Sequence, residues 1–157
     1  MTARVSSGGQ RRIVVGVDGS VPSKAALAWA ARQAKLTGAA VDAVLAWQQP
    51  LSFRTPWPAA VMTDFKDLAD RRLADALADV SDSAGEAEVR PCVVEGNAAE
   101  VLLDAAAGAD LLVVGSRGYG GFAEALLGSV GQHCVHHATC PVVIIRDSRT
   151  GSGDGPP

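Results

Sequence analysis

Leu111-Leu112-Val113-Val114-Gly115-Ser116-Arg117-Gly118, followed after nine residues by Gly128-Ser129, is the stretch on which the fold turns. A short continuous apolar run, then clustered glycines, then an Ala/Leu-rich segment from Phe122 to Leu127 spell strand, glycine loop and helix. A glycine loop leaving a strand brings backbone N–H groups close to an anion, and the start of the next helix adds positive partial charge. The residues between 115 and 130 therefore form a candidate phosphate site. The loop lacks the terminal Gly-Lys-Ser/Thr of a Walker motif.

Outward from this stretch the chain alternates. Strand-length runs occur at Ile13–Val17, Val41–Trp47, Ala87–Val94, Leu111–Gly115 and Val142–Arg146. Between them lie helical patterns at about 22–35, 62–80, 98–107 and 122–137. Ser20 caps the first and Gly38 ends it, Asn97 with Glu100 opens the third, and Pro141 closes the fourth. Strict βα alternation predicts an α/β fold: a five-stranded, parallel, doubly wound sheet with helices on both faces. Pro91 cannot donate to a ladder, which sends the third strand to an edge. The order 3-2-1-4-5 satisfies this and sets the ends of strands one and four, at Asp18 and Gly115, beside the topological switch point, where open α/β sheets bind ligands.

Composition limits the alternatives. A chain of 157 residues fits one domain, and at about this length roughly 70% of the unfolded surface can be buried. The net charge of −3 offers no bulk attraction to nucleic acid or to an anionic membrane. Three cysteines, Cys92, Cys134 and Cys140, make no disulfide framework and suit a reducing cytoplasm. Cys92 and Cys134 are expected as small buried hydrophobes. No run has signal-peptide or membrane-spanning length. Residues 1–10 and 148–157 are expected as disordered tails around a domain of residues 11–147.

The motifs resemble those of the universal stress protein family, in its ATP-binding subclass. The likeness rests on Val14-Val15-Gly16-Val17-Asp18-Gly19-Ser20, on Gly115-Ser116-Arg117-Gly118-x9-Gly128-Ser129, and on Cys140-Pro141-Val142-Val143-Ile144-Ile145. It implies a Rossmann-like fold of the adenine nucleotide alpha hydrolase type in the same strand order, with ATP and phosphate-bound Mg²⁺ as cofactors. It also implies a cytoplasmic homodimer joined through Val142 to Ile145. By position, Asp18 matches the acidic residue near ribose and adenine, with Gly16 beside it. Ala46 matches the strand-two residue whose backbone reads adenine. Gly115, Arg117, Gly118, Gly128 and Ser129 match the phosphate loop, with Val130 beyond and Gly120 and Gly121 inside the nine-residue stretch. The function implied is a nucleotide-dependent regulatory switch in the stress response, with slow ATP hydrolysis at most. The alternatives are an adenylating or ATP-pyrophosphatase-like enzyme, a flavin-binding electron carrier, and an interaction module that needs no nucleotide.

Several residues also have plainer readings. Asp18 could order only the Gly19-Ser20 turn, Ser129 could be only an N-cap, and Arg117 could be a solvated loop charge. The segment Gln48 to Val61, with three prolines and Trp57, is long for a βα connection and reads as a lid or as a surface loop. His133, His136 and His137 share a helix face but lack a full metal-ligand set, so no built metal site is expected there. The charged second helix reads as a solvated, salt-bridged face.

Overall fold

The computed structural model describes residues 9–48, 59–117 and 127–146. The elements in chain order are β1 (Arg12–Gly16), α1 (Val21–Thr37), β2 (Ala40–Trp47), α2 (Ala59–Ala84), β3 (Val89–Glu95), α3 (Ala98–Ala106), β4 (Leu111–Gly115), α4 (Ser129–His137) and β5 (Val142–Ile145). All neighbouring strands pair in parallel, in the order β3-β2-β1-β4-β5. Pro91 stands opposite Ala43 on the edge strand β3, where its missing donor costs least. Residues 1–8 and 148–157 of the predicted tails, residues 49–58 of the predicted lid, and Gly118, Gly120 and Gly121 lie outside the described residues, while Gln10 of the predicted N-terminal tail donates to Glu88 at 3.1 Å.

Alternation along the central strands builds two cores. Ile13, Val15, Val41, Ala43, Leu45 and Val113 face α1 and α2, where they meet Leu27, Ala30, Leu73 and Ala76. Val14, Val44, Leu112 and Val114 face α3 and α4, where they meet Val101, Leu102 and Cys134. Leu27, Leu73 and Leu112 are almost fully buried, each stabilising the fold by about 1.5–3 kcal/mol. Alanines at the α1 contact (Ala26, Ala30, Ala31 and Ala34) let that helix lie close on the sheet.

Local signals explain the helix ends. Ser20 Oγ accepts from the Ser23 N–H at 3.3 Å, and Gly38 ends α1 at φ 75°. Asn97 Oδ1 accepts from the N–H groups of Ala99 and Glu100 at 3.0 and 3.3 Å. Two boundaries differ from the sequence reading. The second helix begins at Ala59 and continues to Ala84, so three residues assigned to the loop are helical, and Gly85 at φ 56° follows its end. The fourth helix does not run unbroken from Phe122: Gly128 is extended at φ −69° and ψ 166°, and α4 starts only at Ser129. Residues 122–126 of that assignment lie outside the described residues. The charged α2 face does carry ion pairs, Lys66 to Asp70 at 3.0 Å and Asp79 across to Lys24 of α1 at 2.7 Å.

At the end of the sheet where the strands begin, a charge network crosses three strands. Asp42 accepts from Arg12 Nη1 at 3.1 Å and from Arg90 Nε at 2.8 Å. Arg12 also donates to the carbonyls of Ala105 and Ala107 at 2.8 and 3.0 Å, which ties the end of α3 to β1. Cys92 lies two residues along from Arg90, exposed rather than buried as the sequence reading had it, because β3 is an edge strand. Its thiol is still pushed up, first by partial burial of the sulfur and second by the Asp42 carboxylate. Asp42→Asn removes the smaller cause, so the Cys92 pKa falls yet stays above its ordinary value. Site-resolved alkylation at pH 8 is expected to speed up by less than about threefold, and stability to drop by about 1–2 kcal/mol, between the values for exposed and buried pairs. An unchanged alkylation rate would show that Asp42 does not act on the thiol.

Candidate nucleotide site

The cleft lies where β1 and β4 end side by side, at the switch point. It has a volume of about 200 Å³, and Gly16, Asp18, Ala46, Gly115, Arg117, Gly128, Ser129 and Val130 all line it. These eight sequence-predicted residues come from β2, from the ends of β1 and β4 and the residues just after them, and from the N-cap and start of α4, and the fold brings them to one place.

Close approaches explain two of the glycines. A Cβ on Gly115 would lie 2.8 Å from the Pro22 carbonyl carbon and 2.9 Å from its oxygen, so α1 starts against the bare backbone of β4. A Cβ on Gly16 would lie 2.8 Å from Leu102 Cδ1, so Gly16 lets α3 settle on β1 as well as lining the cleft. Ser116 then carries the chain on. Its N–H donates to the Ile145 carbonyl at 2.8 Å, and its carbonyl accepts from the Gly128 N–H at 2.7 Å. One buried residue thus joins the end of the edge strand β5 to the N-cap of α4.

Gly128 is that N-cap and has no side chain to cap with, which corrects the reading of Ser129 as the cap. Ser129 is the first helical residue. No capping acceptor for the Ser129, Val130 and Gly131 amides stands among the described residues. First-turn amides need an acceptor from outside the helix, and an anion meets that need. This donor set, with Arg117 on the same wall, fits a phosphate group.

The part of the lining that comes from β2 and α3 is apolar. Val44, Ala46 and Leu102 form it, Ala98 brings in the start of α3, and Val114 of β4 adds a further apolar side chain. Leu102 and Ala98 were not singled out from the sequence, because nothing in α3 alone shows that its first turns reach the ends of the strands. Backbone direction sets the role open to Ala46. The Val17 N–H donates to the Val44 carbonyl at 2.8 Å. Backbone groups of alternate residues on a parallel strand point to the same side, so the N–H and C=O of Ala46 also point toward β1, at the level where β1 has ended. They face the crevice rather than a complete ladder.

Asp18 shows the plainer of its two readings. Its Oδ1 accepts from the Ser20 N–H at 2.8 Å, an Asx turn that shapes the entry to α1. Its own N–H donates to Ser23 Oγ at 3.3 Å. The turn holds the carboxylate at the cleft wall, so it positions Asp18 and does not remove it from the site. His133, His136 and His137 are elsewhere, in the later turns of α4.

The class that fold and cleft define is a doubly wound α/β domain with a ligand crevice at its switch point. Residues 10–146 match the model of the Universal stress protein family, and the chain belongs to that family. It is 32% identical over 160 residues to a universal stress protein of Mycolicibacterium smegmatis, covering 96% of this chain and 53% of that one. The chain spans about half the length of the curated relatives it matches. Among solved structures, it resembles a universal stress protein in complex with cAMP (28% identity, TM-score 0.61, 86% of this chain and 95% of that one). It also resembles the universal stress protein of Archaeoglobus fulgidus in complex with dAMP (25% identity, TM-score 0.62, 86% of this chain and 97% of that one).

Proposed function

We propose that this chain binds ATP at the switch-point cleft and works as a nucleotide-dependent regulatory switch in the stress response. The observation that carries the reading is the two-sided cleft. An apolar wall with the inward-facing backbone of Ala46 suits a purine, and the first-turn amides of α4 beside Arg117 suit phosphates. The adenine nucleotides held by the cAMP-bound and dAMP-bound relatives support the adenine half. Gly118, Gly120 and Gly121 lengthen the glycine-rich stretch of the sequence, which favours a triphosphate over a monophosphate. Asp18 is the one carboxylate among the described lining residues, so Mg²⁺ would be held mainly by the phosphates. Those residues include no histidine or glutamate to serve as a general base, which favours binding over turnover.

Extraction of nucleotide from purified protein, followed by calorimetry with ATP, ADP, AMP and cAMP, tests the reading. ATP is expected to bind most tightly. Binding of none of the four would overturn nucleotide recognition, and tighter binding of cAMP would overturn the triphosphate assignment.

A homodimer through the last strand belongs to the same proposal. Every residue of β5 is only half-buried, and no strand among the described residues pairs with its outer edge. Ser116 and Ile145 point their ladder groups toward each other, so the N–H of Ile144 faces outward. Ile144→Pro deletes that donor and Ile144→Lys adds a charge to the edge; both are expected to shift sedimentation toward monomer. A wild type that sediments as a monomer, or a proline variant that stays fully dimeric, would exclude this interface. Ser116 would connect nucleotide to dimer, since its N–H holds the end of β5 and its carbonyl holds the N-cap of α4. No helix among the described residues is long and apolar enough to cross a membrane, and the three cysteines are unpaired thiols, in keeping with work in the cytoplasm.

A further inference from the structure

The histidines of α4 lie outside the cleft and outside the function proposed for it. His133 and His137 are one helical turn apart, both exposed, with ring centroids 4.5 Å apart and planes inclined at 42°. Two imidazoles bound side by side to one ion, each nitrogen about 2.1 Å from it, hold their centroids about 4.5–5 Å apart. The inclination matters too, since parallel stacked rings could not turn nitrogens toward a common point. His136 stands apart, its ring 6.5 Å from that of His137 and at 61° to it.

We propose that His133 and His137 form a surface chelating pair for a divalent transition-metal ion of the zinc, nickel or copper kind. Neutral imidazole suits these ions, and two histidines at i and i+4 on one helix face are a recurrent half-site for them. No group of three or more His, Cys, Asp or Glu able to hold a metal occurs among the described residues. The remaining coordination positions therefore go to water, which makes this an exchangeable site with micromolar affinity rather than a structural one. His133 lies about 3–6 Å along the axis from the first-turn amides and His137 about 9–12 Å, and neither lines the cleft, so ion and nucleotide need not compete.

Titration of the full-length, untagged protein with nickel chloride and with zinc chloride, followed by calorimetry, tests the pair. One equivalent per chain is expected. His133→Ala and His137→Ala should each weaken binding by at least about tenfold, since either leaves a single ligand. His136→Ala should leave it within about threefold, as a residue outside the pair. All three positions are exposed, and circular dichroism checks that the variants keep the fold. If the histidines served only the negative end of the helix, the alanine variants would alter stability and not metal uptake. The proposal fails if the wild type shows no saturable binding, or if a variant carrying both His133→Ala and His137→Ala binds as the wild type does, which would place the ion elsewhere.

Discussion

Gly115→Ala is expected to lower the midpoint of thermal unfolding by about 6–12 °C and to abolish nucleotide binding. The added methyl group would meet the carbonyl carbon and oxygen of Pro22 at 2.8 and 2.9 Å. Those are backbone atoms of the first turn of α1, and they cannot rotate away. The helix must move off β4, or β4 must bend. Overpacking of this kind costs about 3 kcal/mol, the upper part of its usual range, because no side chain can absorb it. For a domain of this size, each kcal/mol corresponds to about 2–4 °C. The same shift disturbs Ser23 and, through it, the Asp18 turn, since the Asp18 N–H donates to Ser23 Oγ.

Gly16→Ala provides the contrast. Its new methyl would lie 2.8 Å from Leu102 Cδ1, the far end of a flexible side chain. A rotamer change relieves it, at a cost of about 1 kcal/mol. Neither glycine has a positive φ, so backbone strain is not part of the comparison. Differential scanning calorimetry of the two variants decides the matter: equal losses of stability would refute the claim that α1 rests on bare backbone at Gly115.

These two glycines also mark how far the sequence can be read. Alternation predicts the parallel sheet and Pro91 sends the third strand to an edge, because a missing amide donor costs least there; the order 3-2-1-4-5 satisfies both, and the family resemblance implies it. The cleft follows as well, since the order 3-2-1-4-5 leaves one crevice at the centre and the glycine motif begins beside it. What a linear reading cannot see is which partner a small residue accommodates. Gly16 reads as a neighbour of the ligand, and only the approach of Leu102 from a helix far along the chain shows its packing role. The Arg12–Asp42–Arg90 network is hidden for the same reason, since its members sit on three strands that meet only in the folded sheet. The good helix formers of Phe122 to Leu127 make one unbroken helix to His137 the natural sequence reading. Propensity says nothing of the extended conformation of Gly128, after which α4 begins at Ser129.

Ala46→Phe should give the opposite pairing of effects: nucleotide affinity falls by at least about a hundredfold while thermal stability holds or rises. The side chain of Ala46 lies with the α3-facing core, at the apolar wall of the cleft. Phenylalanine suits a strand and would place its ring in a cleft of about 200 Å³, against Leu102 and Val114. The ring gains apolar contact there, so the fold need not suffer. The purine loses its seat, however, and a hundredfold loss is about 2.7 kcal/mol, within what an excluded ring would forgo. Ala46→Gly separates side chain from backbone. It keeps the inward-facing carbonyl and N–H, and costs the strand only about 0.5–1 kcal/mol. Affinity should therefore stay within about threefold of wild type, if the backbone does the reading. Calorimetry with ATP on both variants checks the pair. If Ala46→Phe binds ATP as the wild type does, adenine does not lie against β2, and the orientation proposed for the nucleotide is wrong even if its phosphates rest on α4.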